Sequence, residues 1–231
     1  MLKEIIEHYR QRILLHTIFQ KIKGLPINRD ISNKFKYGYL APVYAERIWV
    51  NPSDCNLFIS HKFFKDFNGV TDIRGSSGKV IDYSLLLKQA IAVTKVIRIK
   101  FCFDHWVKGL PWEDTGVYEY MEKFIIKDGE VDGCRSINDI IKRYKKIDSI
   151  FEQVKQEGRL KTRKEINSKN FREVDGILIH IGPQGKPIFS GGGCHRFAMA
   201  LILGLRFPAQ IGCVHPSAIP FLPDFRRETL Q

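Results

Sequence analysis

Between two apolar segments, one ending at Phe189 and one starting at Phe197, stands Ser190-Gly191-Gly192-Gly193-Cys194-His195-Arg196. Glycines placed between a strand and a helix let backbone N–H groups approach a ligand closely, and the start of the helix adds partial positive charge. Such a loop suits phosphate. Arg196 can add a bidentate charged contact and His195 a neutral or cationic donor, so Gly191, Gly192, Gly193, Cys194, His195 and Arg196 are the expected phosphate-binding residues. No GKS or GKT follows and the GxGxxG spacing is missing, which excludes a Walker loop and a dinucleotide fingerprint. The plainer alternative is a tight turn that needs small residues. Cys194 sits at the same helix start beside His195 and Arg196, surroundings expected to lower a thiol pKa and make it a nucleophile. A small Cys in a tight loop also has a packing explanation.

A second concentration of chemistry is electrostatic. Lys142, Arg143, Lys145, Lys146, Lys155, Arg159, Lys161, Arg163 and Lys164 crowd a short span. A solvated helix face is one reading; capture of an anionic second substrate by Arg159, Lys161 and Arg163 is the other. His180, His195 and His215 lie within one compact segment, but without HxH or HExxH spacing no metal site is assigned.

These residues must be held by elements. Leu2, Ile5, Ile6, Tyr9, Ile13, Leu14 and Ile18 recur at helical steps, so an amphipathic helix is expected from Leu2 to Lys23, ended by Gly24 and Pro26. Asn28 to Tyr39 reads as polar and loop-like. Arg47-Ile48-Trp49-Val50 reads as a short strand running into the turn Asn51-Pro52-Ser53-Asp54, and Asp72 to Gly78 as another turn. Tyr83 to Val107 carries a helical pattern through Leu86, Ile91, Val96, Ile99 and Phe103. Thr115 can cap a further helix stopped by Asp128-Gly129, and Ser136 with Asp139 resembles a capping box opening a helix whose inner side is Ile140, Ile141, Tyr144, Ile147, Phe151 and Val154. Gly176 to Ile181 and Lys186 to Phe189 should form a hairpin, and Pro208 to Val214 a closing strand after a helix ended by Gly204.

With 231 residues and 44% hydrophobic content the chain can bury a sizeable core, and no apolar run reaches the roughly 20 residues of a membrane helix. The net charge of +12 favours anionic partners. Five scattered cysteines argue against a disulfide framework and for a reducing compartment. The first residues mix acids and bases, unlike a secretory signal, so a cytoplasmic location is expected.

The segment FSGGGCHRFAMALILGLRFPAQIGCVH resembles the signature of the ParB/sulfiredoxin superfamily, in which a glycine-rich loop ending in a basic pair starts a helix that leads through Gly-Leu to a Pro-containing strand. Gly192 to Arg196 is similar, letter for letter, to the sulfiredoxin motif. Arg47 to Asp54 resembles the opening strand of ParB-type domains, and Ile150 to Leu160 their helix and Gly-containing turn. The likeness covers residues 44–56 and 147–215. Gly109 to Thr115, Gly133 to Ser136 and Gly158 to Glu165 are similar to an uncharacterised prokaryotic group with a ParB-like C-terminal part. The resemblance implies an α+β fold: a small mixed ParB/sulfiredoxin-like sheet with helices over residues 41–231, a helical insertion near 57–146, and an N-terminal helix and linker over 1–40.

It also implies a nucleotide, ATP or CTP with Mg²⁺, bound by the loop, and a nucleotide-dependent phosphotransferase or hydrolase. A non-catalytic, nucleotide-regulated module that binds nucleic acid or protein is the alternative, and sulfiredoxin-like chemistry at Cys194 the third. The related kinase has an acid where this chain has Gly192, so Glu46, Asp54 or Asp148 would have to serve as base. The Pro-Ile-Asp-Val stretch of sulfiredoxins is replaced by Ile177-Leu178-Ile179-His180, which weakens the thiol reading. Only residues 216–231 follow the signature region, leaving no room for the helix-turn-helix of ParB, so sequence-specific nucleic-acid binding is not expected. Oligomeric state is left open.

Overall fold

The computed structural model describes residues 26–68 and 74–228. The expected helix from Leu2 to Lys23 therefore lies outside the described residues, as do Asp72 and Ile73 of the turn expected from Asp72 to Gly78.

The sheet is built from residues that are apolar without alternation, the mark of strands covered on both faces. Strands β1 (Arg47–Val50), β2 (Leu57–Phe58), β3 (Ile91–Ala92), β4 (Ile177–Ile181), β5 (Pro187–Phe189) and β6 (Phe207–Val214) form one mixed sheet in the order β1-β6-β4-β5-β2-β3. Every residue of β4, β5 and β6 is buried. β4 and β5 make the expected antiparallel hairpin, with Ile179 opposite Phe189. β4 runs parallel to β6 and β2 parallel to β5. The fold is thus mixed α and β around a single sheet among the described residues, as the expectation of an α+β fold required. Residues 57–58 and 91–92, at the front of the expected insertion, supply the far edge of that sheet.

Helices α1 (Pro26–Tyr37), α2 (His61–Asn68), α3 (Ile97–Trp106), α4 (Val117–Asp128), α5 (Ile137–Glu157), α6 (Arg163–Ile166), α7 (Cys194–Leu203) and α8 (Leu222–Arg226) complete it. In α7, Phe197, Ala198, Met199 and Ala200 are buried, and the Phe197 ring stacks on Phe189 with centroids 4.1 Å apart. Full burial of one such ring contributes about 1.5–3 kcal/mol. α5 buries Ile140, Tyr144, Ile147 and Phe151, the stripe its sequence predicts. Ser136 caps it by accepting the Asp139 N–H, and Gly158, in the left-handed region at φ 63°, ends it.

Three expectations are corrected. The long helix from Tyr83 to Val107 is a short 3₁₀ segment at Ser84–Gln89, then β3, then α3. Steps of five from Leu86 to Ile91 and from Ile91 to Val96 rotate by about 140° away from one helical face, and Ile91 and Ala92 instead pair with Phe58 and Leu57. The expected loop from Asn28 to Tyr39 is mostly α1. Its buried side is polar: Asp30 accepts from the Tyr44 N–H and from Arg172, and Asn33 donates to the carbonyls of Pro42 and Gly78. The start of α4 shifts by one residue, because Gly116 occupies the cap position while the Thr115 hydroxyl accepts the Val117 N–H at 3.3 Å.

Candidate functional site

The glycine loop joins β5 to α7 as expected, and it is stitched to β4. Leu178 donates its N–H to the Gly192 carbonyl, and Ser190 donates both its N–H and its hydroxyl to the Leu178 carbonyl. A Cβ on Gly193 would stand 3.0 Å from Ile177 Cα, at a φ of 78° that side chains disfavour, and one on Gly192 would stand 3.0 Å from Leu178 Cβ. Close packing of the loop on β4 therefore requires these glycines. Arg74, from the turn after residue 73, reaches beneath the loop: it donates to the Gly176 carbonyl and to Gln210, and pairs with Asp175 at 3.0 Å. Nothing in the sequence beyond a turn signal marked Arg74.

Cys194 donates its S–H to the Gly191 carbonyl at 3.0 Å. Burial pushes its thiol up to about 11, against the pull of Arg98, which corrects the expectation of a lowered pKa. His195 lies 3.3 Å from the Tyr144 hydroxyl. Burial, followed by the positive charge of Arg143 and Arg98, lowers its imidazole to about 4, so it is neutral at pH 7.

Arg196 turns to the other side of α7. Its guanidinium donates to the Lys161 carbonyl, while Nη1 is buried without a hydrogen-bond partner. Arg163 has its buried Nε in the same condition, and its backbone N–H donates to Glu173 at 2.9 Å. Glu173 is fully buried, with its second oxygen unpartnered. Desolvation raises its pKa, opposed by Arg163, Arg196 and Arg47.

Both arginines line a cavity of about 360 Å³ between α5, the 158–166 segment and the first turns of α7. Ile147, Ile150, Val154, Leu160, Ile166 and Met199 make its apolar wall, and Lys146, Arg159, Lys161, Arg163 and Arg196 its cationic border. Arg159 is paired with Glu165 at 2.8 Å and Lys161 with Glu157 at 2.7 Å. The cavity thus unites Arg159, Lys161 and Arg163 with His195 and Arg196. It is not lined by Gly191, Gly192, Gly193 or Cys194.

Two predicted residues are elsewhere. Glu46 is held by Arg226 and accepts the Val43 N–H, and Asp54 lines a separate cavity of about 140 Å³ with Arg206 and Asp224. The carboxylate that does line the main cavity, Glu157, was missed because it reads as one more charge on a solvated helix. His180 accepts the Cys213 N–H, and His215 contacts Ser84, Asp82 and Ser217, so the three histidines of the compact segment share no hydrogen-bond partner in these contacts, although the Tyr83 ring lies against both His180 and His215. Among the described residues no group of three His, Cys, Asp or Glu could hold a metal ion. No helix among them is long and apolar enough to cross a membrane. No protein-family model, curated protein or solved structure matches this chain.

Proposed function

We propose that the cavity beside the start of α7 binds a nucleoside triphosphate, with Arg196 and Arg163 on the phosphates and the apolar wall against the base and sugar. The observation that carries this reading is the lining of the cavity, an apolar wall bordered by Lys146, Arg159, Lys161, Arg163 and Arg196 against one carboxylate, Glu157. Such a border carries an excess of positive charge that an anionic ligand would offset, and guanidinium groups suit phosphate oxygens. Arg159 and Lys161, held by Glu165 and Glu157, add positive potential at the border. One site would then serve both the anion expected at the glycine loop and the one expected at the basic stretch.

In this reading the glycines act indirectly. They let α7 start hard against β4, which fixes Arg196. Phosphoryl transfer or hydrolysis relies chiefly on positioning and charge stabilisation, which the arginines can supply. The ParB/sulfiredoxin resemblance, the cytoplasmic setting and the preference for ATP or CTP belong to this proposal. The cavity residues do not themselves fit Mg²⁺: their single carboxylate, Glu157, is tied to Lys161, so any metal would arrive on the phosphates. The second reading, a nucleotide-regulated module without catalysis, is favoured by the placement of Glu46 and Asp54 outside the cavity. A Cys194 nucleophile is disfavoured by its raised pKa and its bond to Gly191.

Titration calorimetry with ATP, CTP and GTP, each with Mg²⁺, tests the proposal. At least one should bind, and Arg196→Ala should weaken it at least about tenfold, roughly 1.4 kcal/mol. Absence of binding by all three sinks the nucleotide reading. Phosphate release by the binding-competent protein separates enzyme from module.

A further inference from the structure

A second cluster of reactive side chains stands where β6 ends, and none of its members lines the arginine cavity. Val80 bridges Val214 in parallel: Val214 donates its N–H to the Lys79 carbonyl at 2.8 Å, and Ile81 donates to the Val214 carbonyl at 3.0 Å. That pairing brings Asp82 beside His215, the residue after Val214. The His215 backbone is held on both sides, its N–H by the Ile181 carbonyl and its carbonyl by the Ala218 N–H. Its ring packs T-shaped with that of the fully buried Tyr83, centroids 6.0 Å apart. An imidazole anchored in this way keeps both nitrogens aimed.

The hydrogen bonds also fix its tautomer. Nδ1 accepts the Ser217 N–H at 3.2 Å, so the ring proton sits on Nε2, which lies 3.1 Å from Asp82 Oδ1. The Ser84 hydroxyl and N–H, then His215, hold the Asp82 carboxyl below the usual carboxylate range, so it is ionised at neutral pH. The Nδ1 lone pair faces the Ser217 hydroxyl, whose oxygen is 2.8 Å away. A hydroxyl thus lies within reach of a base, and the base is oriented by a carboxylate. The Ser217 residue is exposed, whereas the His215 side chain is only 12% exposed, so a reagent can reach Oγ while the imidazole stays in place.

We propose that Ser217, His215 and Asp82 form a nucleophile, base and orienting carboxylate that act on small, reactive carboxylic esters. Ser217 Oγ attacks the ester carbonyl carbon as its proton passes to His215 Nδ1; the bond from that carbon to the alkoxy oxygen breaks, and the proton leaves with the alcohol. Water then attacks the acyl-serine by the same route, releasing the acid and restoring the hydroxyl. Asp82 touches neither the ester nor Ser217 and serves as a positioning residue. The inference does not depend on the nucleotide reading, because all three residues lie outside that cavity.

Labelling with an ethoxy fluorophosphonate tests it, since the probe stands in for the ester: Ser217 Oγ bonds to phosphorus and fluoride leaves. Mass spectrometry of the labelled full chain should find the adduct on Ser217 and not on Ser53, which is also exposed. His215→Gln should slow labelling at least about hundredfold, the low end of what a general base contributes. Asp82→Asn should slow it at least about tenfold with an unchanged urea midpoint, and Asp82→Glu should restore most of the rate. p-Nitrophenyl acetate should give a nitrophenolate burst stoichiometric with the chain in wild type and none in Ser217→Ala. Labelling of Ser217 no faster than of Ser53 overturns the proposal, as does a rate indifferent to His215→Gln or a burst that survives Ser217→Ala. If His215→Gln fails to fold, the comparison of Ser217 with Ser53 in wild type decides alone.

Discussion

Cys194 and Gly193 show how neighbouring residues in one motif take their character from different surroundings. Alkylation of native Cys194 at pH 8 should be slow, because its thiol is raised to about 11, and the rate should climb as the pH approaches that value. Mass spectrometry of iodoacetamide-treated native protein reads it; fast modification at pH 7 would restore a thiol chemistry. Gly193→Ala tests the packing origin of the loop. A Cβ 3.0 Å from Ile177 Cα at a left-handed φ should cost at least about 1 kcal/mol in urea unfolding, before any ligand is added. The sequence announced the loop and its basic pair by composition alone. It could not announce that the glycines face β4 while Arg196 faces the cavity, because that depends on how α7 is rotated over the sheet. Glu46 and Asp54 stand out in the sequence only as acids near the first strand, and it is Arg226 and the Val43 N–H that reveal Glu46 to be already occupied.

At the scale of elements, α3 and α5 are joined by one carboxylate. Asp148 on α5 accepts the indole N–H groups of Trp106 at 3.0 Å and Trp112 at 2.9 Å and lies 3.1 Å from His105. Trp106 stacks on Phe151, with centroids 4.2 Å apart. Asp148→Asn turns one acceptor into a donor facing an indole N–H, so the helix pair should lose about 1–3 kcal/mol. Chemical denaturation followed by tryptophan fluorescence checks this; an unchanged midpoint would show that the indoles find other partners. The sequence offers the same residue as a base, a role its two indole donors leave little room for. Helices with an unbroken inner stripe, α5 above all, were legible from spacing. α1 was not, because the usual rule looks for apolar residues on the buried side and here that side carries Asp30 and Asn33. Residues 83–96 misled for the opposite reason: they are apolar enough for a helix, but their partners are β2 and a small core around Phe64 and Tyr83.

Across the whole molecule, acid should be a weakness. His180 is fully buried, its Nδ1 accepts the Cys213 N–H, and desolvation lowers its pKa to about 3. Unfolded, it titrates near 6.5. Its contribution is therefore complete above about pH 6.5 and is lost as the pH falls from there toward 3, at up to about 1.4 kcal/mol per pH unit. Urea midpoints between pH 7 and pH 5 should fall, and a His180→Gln variant should flatten the decline; a midpoint independent of pH would contradict the buried, neutral imidazole. Fold class could be read from strands and helices in succession, and the β4–β5 hairpin from its turn. Strand order could not, since β1 with β6 and β2 with β5 are pairings between distant segments that leave no local pattern.

Strand order has a consequence during synthesis. β6 lies between β1 and β4, so an inner strand of the sheet is also the last to be made. At about 5–20 residues per second, the roughly 160 residues separating β1 from its partner take about 8–32 s to emerge. For that interval β1 has no strand to pair with, and for its last stretch of about 1–5 s, once β4 is made, one side of β4 is open as well, so that the nascent chain then presents two open, apolar edges to whatever binds such edges on the ribosome.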